Sequence, residues 1–200
     1  MSAEGPDRPR PDGDGSTDGG DGPADEADRP VNDPQRFERL PATDADRRVE
    51  DRPTRAAVLA YFDERFGVPP ATFADHTFWE KGAGSVWVAA GDALTPLAVE
   101  ALGLRLLRTG GRHWKPTTDG VQRFGDAATR NVVAVDREAA RRFVRGEDGP
   151  VEWDGDWGYL VVATAVAGDP APLGVGLFID GTLRSQVPKG RRRSLGGRQL

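Results

Sequence analysis

The 200-residue chain contains no cysteine, which excludes disulfides, cysteine-based metal sites and a thiol nucleophile. No apolar run approaches the roughly 20 residues of a bilayer span, and no basic-then-apolar leader opens the chain. A soluble, cytoplasmic protein without a membrane partner is therefore expected. The net charge of −5 conceals a division: residues 1–52 carry 15 acidic and 8 basic side chains, residues 53–200 carry 17 and 19. From Gly181 to Leu200 there are six basic residues and no acidic one. Whole-chain charge argues against a polyanion partner; its distribution argues for one.

Three lysines stand against 24 arginines. With the acidic excess, this suggests a GC-rich genome and a salt-rich cytoplasm, that is, a halophilic source. At about 1 M salt the Debye length falls to about 3 Å, so contact geometry must replace long-range attraction. The arginine fork suits that regime, because it can grip phosphate through two parallel hydrogen bonds.

Residues 1–52 are rich in Gly, Pro, Asp and Arg, with Phe37 and Leu40 as the one hydrophobic cluster. Such a segment buries too little surface to offset chain entropy, which predicts a disordered acidic tail. One reading of that tail is a solubilising segment; the other is a polyanion mimic that covers the basic end. Order is expected to begin at Pro53. Thr54 reads as an N-cap, Val58, Tyr61, Phe62 and Phe66 fall on one helical face, and Gly67 is placed to stop the helix.

Phe78-Trp79 and Ser85 to Ala89 read as strands joined around Gly82 and Gly84, and Val99 to Arg108 as another with Leu102, Leu104 and Leu106 inward. Thr117 or Thr118 caps a short helix bearing Val121, Phe124 and Ala128. Asn131 to Val135 is a strand, and Asp136 caps a helix that ends at Gly146. On that helix Ala140, Phe143 and Val144 face inward, while Arg137, Arg141 and Arg145 form a stripe. Residues 157–166 are the strongest strand, and 173–179 with 182–187 form a hairpin at Asp180-Gly181.

Catalytic signals are weak. His76 and His113 lack metal-ligand spacing, no serine sits in a GxSxG elbow, and neither Gly82-Ala83-Gly84 nor Gly174-Val175-Gly176 continues to a third glycine at dinucleotide-motif spacing. No metal and no cofactor is expected. Binding signals are stronger. Arg184, Lys189, Arg191, Arg192 and Arg193 lie on one hairpin and the loop after it, where they can converge on phosphates. Trp114 beside Lys115 pairs an aromatic with a cation, a combination used to stack on splayed bases. Trp114 reads equally well as a core residue.

From about Arg130 to Arg193 the chain resembles the PUA-like RNA-binding domain appended to RNA cytosine carbon-5 methyltransferases of the Nop/Sun family. The likeness runs through Phe143-Val144-Arg145-Gly146-Glu147, Gly158-Tyr159-Leu160-Val161-Val162 and Pro172-Leu173-Gly174-Val175-Gly176. It continues through Gly181-Thr182-Leu183-Arg184 and Pro188-Lys189-Gly190-Arg191-Arg192. Upstream, Tyr61-Phe62-Asp63-Glu64-Arg65-Phe66-Gly67 and Lys115-Pro116-Thr117-Thr118 look like the region that precedes this domain in stand-alone archaeal relatives. Where the family usually has Asn after Leu-Arg, this chain has Ser185.

The resemblance implies an α+β fold: a disordered tail (1–52), an α+β pre-PUA region (53–128), a PUA-like β-barrel (129–195) and a flexible C-terminus (196–200). It also implies RNA contacts by Arg184, Lys189 and Arg192, with Gly174 and Gly176 admitting backbone or RNA close to the barrel. The family methylates through a cysteine nucleophile, which this chain lacks, and there is no room for a nucleotide-binding methyltransferase domain. The expectation is a monomeric, non-catalytic protein that binds structured RNA (rRNA or tRNA) in RNA modification or ribosome biogenesis, with an RNA methyltransferase as an optional partner. The alternative is a protein-interaction module that docks a methyltransferase or ribosomal protein.

Overall fold

The computed structural model describes residues 33–196, with side chains through Arg192. The expected tail lies outside these residues as far as position 32; from Asp33 onward it is corrected. Residues 33–52 belong to the fold. Strand β1 (Phe37–Arg39) pairs antiparallel with residues 79–81, and Phe37 is fully buried, its ring 5.3 Å from Trp87 in an edge contact. Leu40 joins the core, and Arg52 is buried in ion pairs with Glu38 and Glu80. Composition misjudges this stretch because its partners are supplied by strands some 40 residues downstream. An edge strand completing an existing sheet needs few apolar side chains of its own.

Helix α1 (Arg55–Phe66) begins as expected: the Thr54 hydroxyl accepts the Ala57 amide at 3.0 Å. It ends at Gly67, whose φ of 63° is the left-handed conformation that glycine adopts without a Cβ penalty. The carbonyl of Phe66 accepts the amides of Thr129 and Arg130, both at 2.9 Å, so the end of α1 is tied to the chain that leads into the second half.

Strands β2 (His76–Lys81), β3 (Ser85–Ala90), β4 (Leu104–Arg108) and β5 (Lys115–Pro116) complete an antiparallel sheet of order β1-β2-β3-β4-β5. The strand expected from Val99 starts only at Leu104, and Leu106 and Leu107 are both fully buried. The register of β3 against β4 shifts at Val86/Trp87, and this bulge breaks the simple alternation that the sequence suggests.

Helix α2 (Thr118–Phe124), capped by Thr117, leads to β6 (Val132–Ala134). Helix α3 (Arg137–Arg145) follows, with Asp136 accepting the Ala139 amide at its start and Gly146 in the left-handed region at its end. Strands β7 (Gly149–Pro150), β8 (Gly158–Val166), β9 (Asp169–Ile179) and β10 (Thr182–Ser185) form a second sheet of order β6-β8-β9-β10-β7. Strand β6 runs parallel to β8, a crossover through α3 that local patterning does not reveal. The Asp180-Gly181 turn has positive φ at both residues, as a tight two-residue hairpin requires. Helix α4 (Lys189–Gly196) replaces the basic loop expected after Pro188.

Strand β8 explains why the two halves form one body. Its residues alternate between two cores: Val161 joins α1, α2 and the first sheet, together with Val175 of β9, while Leu160 and Val162 join Phe143 of α3. Both faces are covered, so β8 reads as a continuous apolar run rather than an alternating one. The expected boundary at 128/129 therefore does not separate two cores. No helix among the described residues is long and apolar enough to cross a membrane.

Candidate nucleic-acid interface

The structure does not gather the expected C-terminal cations into one open cluster. Arg184 is exposed on the outer face of β10, between buried Leu183 and Ser185, and Lys189 is exposed at the start of α4. Arg191 turns back onto α2, where it pairs with Asp119 and donates to Gln122 Oε1 at 2.6 Å. Arg192 lies across the end of α3 and donates from Nε to the Val187 carbonyl at 2.8 Å. A Cβ on Gly146 would fall into its guanidinium, so that glycine makes the seat. Both arginines brace α4 against the domain. The side chain of Arg193 lies outside the described residues.

Gly174 and Gly176 admit the protein's own side chains. Gly174 has φ of 150°, and a Cβ there would stand 2.8 Å from Thr118 Cγ2 of α2; a Cβ on Gly176 would strike Leu183. Ser185, at the position where the family usually has Asn, is buried, and its hydroxyl donates to the Phe143 carbonyl at 2.8 Å. That position closes α3 onto β10.

Trp114 takes the core reading: it packs half-buried against the first core, 5.5 Å from the Tyr61 ring. Tyr61 donates its hydroxyl to the Trp114 carbonyl at 2.9 Å, and burial holds that phenol well above its ordinary pKa. Lys115 bridges the halves through Gln186 Oε1 and lies 6.0 Å from the Tyr159 ring centroid. Burial, and secondarily the charge of Arg108, lowers its pKa from the ordinary lysine value.

Between the sheets runs a cleft that no single segment of sequence foreshadows. One recess, of about 510 Å³, is bordered by Arg105, Arg108, Lys115 and the backbone of Gly84, Gly110 and Gly111. A second, of about 590 Å³, is bordered by Arg65, Arg112, Trp114, Trp157 and Tyr61. His113 and Tyr159 line both, so the recesses adjoin. Five cationic residues and four aromatic ones line the pair, against a single acidic residue, Asp156. The signal is scattered over Tyr61 and Arg65, Arg105 to Lys115, and Asp156 to Tyr159, three segments that only tertiary folding joins. Among the described residues, no group of three His, Asp or Glu side chains could hold a metal ion.

These features define an α+β protein whose C-terminal half is a PUA-like barrel domain docked on an antiparallel sheet. Residues 130–193 match the PUA domain of the methyltransferase RsmF. Residues 24–103 match a family of unknown function (DUF7122), a segment that begins inside the expected tail and takes in the order seen from Asp33. No curated protein matches the chain.

Proposed function

We propose that this protein binds structured RNA, rRNA or tRNA, along the cleft between its two sheets. In this reading it acts without catalysis in RNA modification or ribosome biogenesis and presents RNA to a separate methyltransferase. The carrying observation is the cleft itself, in which five cations of the first half and aromatics from both halves converge beside a PUA-like domain, with one acidic residue on the rim. Phosphate contacts would set affinity, and RNA shape and stacking would set selectivity. Arg184 and Lys189, exposed beyond β10, would extend the surface.

Binding of tRNA and rRNA fragments across a salt series tests this. Removing one cation from a phosphate should flatten the slope of log K against log salt by about 0.7–0.9. The Arg108→Ala/Arg112→Ala variant should therefore bind more weakly and with a shallower slope, and Arg184→Ala/Lys189→Ala should show a smaller change of the same kind. Slopes equal to wild type in both would overturn the reading. Stable co-purification with a protein after nuclease treatment, without RNA affinity, would favour the docking module instead.

Lys115 supplies a second test. A bound phosphate favours its ammonium form, whereas burial and Arg108 disfavour that form in the free protein. The Lys115 contribution should be fully present below its pKa in the free protein and decline as pH rises through its pKa in the complex. Binding should take up protons at pH values below the ordinary lysine pKa of 10.5, where the free side chain already loses its charge. Lys115→Arg should flatten affinity measured between about pH 6 and 9 on 2′-O-methyl RNA, because arginine stays charged throughout. An unchanged profile would remove Lys115 from the interface.

A further inference from the structure

We propose that the Trp157 end of the cleft is a stacking pocket for one unpaired base, so that the preferred RNA carries a bulged or single-stranded nucleotide there. This rests on the RNA-binding reading and specifies its ligand.

Trp157 is 60% exposed, and it is the one aromatic among the large hydrophobic side chains exposed in the described residues. Its neighbours hold it there. His113 meets the indole in an edge contact at 5.1 Å with the rings 83° apart. On one side the approach to Trp157 is tied down, since the Trp153 indole N–H donates to the Asp156 carbonyl at 3.3 Å and Gly155 lies against the Trp153 ring. On the other, Arg65 donates from Nε and Nη2 to the Tyr159 carbonyl at 3.3 and 3.0 Å. Gly158 has φ of 134° and no side chain to obstruct that guanidinium: a Cβ there would be 2.5 Å from Nη2. The indole is therefore an exposed ring on an anchored backbone, pre-positioned for a flat partner.

What that partner is follows from the adjoining recess. Arg105, Arg108 and Lys115 place positive charge beside the aromatic end, and Gly110 and Gly111 put no side chain between a ligand and their backbone. A ligand with a flat π-face joined to a phosphate fits both. A continuous duplex does not, because its bases are stacked on one another and present edges and backbone instead of faces. An unpaired nucleotide presents its face at little cost.

The test uses the full chain and two RNA hairpins of one length, one fully paired and one with a single bulged 2-aminopurine. The bulged hairpin should bind more tightly by about 5- to 150-fold, the range expected for one aromatic–base stack, and its fluorescence should be quenched. Trp157→Ala should collapse that preference and the quenching, Trp157→Phe should keep part of both, and Leu94→Ala, exposed in the loop beside β1 at the opposite edge of the sheet from β5, should change neither. Exposure of Trp157 means that its removal should leave thermal unfolding near wild type, which separates a missing stack from a damaged fold. A preference that survives Trp157→Ala, or equal binding of both hairpins, overturns the pocket while leaving the RNA reading intact. Absence of salt-dependent binding to either hairpin overturns both.

Discussion

Arg52→Ala is expected to lower the free energy of unfolding by about 3–5 kcal/mol, the usual cost of breaking a buried ion pair from one side. Arg52 Nε lies 3.1 Å from Glu80 Oε2, its Nη2 pairs with Glu38, and the Glu80 side chain is only 1% exposed. Glu80 Oε1 also accepts the Gly84 amide at 2.9 Å, so the carboxylate sets the turn between β2 and β3 while it receives the arginine. Removing the guanidinium takes the neutralising charge away from a carboxylate that water cannot reach. Typical domains are stable by only about 5–15 kcal/mol, so the variant should sit near the edge of folding. Urea unfolding at neutral pH measures the loss. A loss below about 1 kcal/mol would mean that the pair behaves as a solvated surface contact.

The fragment 129–196 is expected not to fold alone, although it contains the whole of the PUA-like match at residues 130–193. Cutting at 128 exposes Val161 and Val175, which are fully buried against the first core in the whole chain. It also removes Thr118 from Gly174, Gln122 Nε2 from the Leu173 carbonyl (2.8 Å) and Arg65 from the Tyr159 carbonyl. The fragment keeps the core around Leu160, Val162 and Phe143, but one face of β8 and β9 is left to water. Circular dichroism and amide exchange should show a collapsed or aggregating fragment, while the full chain unfolds in one cooperative transition. A fragment that unfolds cooperatively with native-like protection would establish two independent domains.

The cleft has one wall from each half, with Arg105, Arg108 and Lys115 from the first sheet and, from the second half, Tyr159 of β8 and Trp157 just before it. Neither the PUA-like segment nor the upstream region would hold the site by itself. In the proposed RNA-binding role, docking of the halves would set the distance between the cations and the Trp157 ring.

Local chemistry is legible from the residues. Thr54, Thr117 and Asp136 each cap the helix expected of them, and Gly67 and Gly146 end theirs in the left-handed conformation. The Asp180-Gly181 turn and the apolar run of β8 are likewise visible, as is the PUA-like character of the second half. Such features depend on neighbours within about four residues or on period-two patterning, and both are written directly in the chain.

The rest is decided by contacts across long separations. Phe37 and Arg52 belong to the core because β2 and β3 supply their partners, and a window over residues 33–52 contains no trace of those strands. Arg191 and Arg192 look like phosphate ligands by charge alone; folding directs one to Asp119 and the other across Gly146. Trp157 reads in the sequence as the first residue of a strand. It is the exposed ring of the cleft because Arg65, 92 residues earlier, fixes the backbone beside it. Helices α1, α2 and α3 and the hairpin turn can be read from the residues because short-range sterics and hydrogen bonding set them, whereas α4 stands in place of the expected loop. The tertiary structure alone decided which cations face solvent, because that depends on what each side chain meets once distant strands are paired.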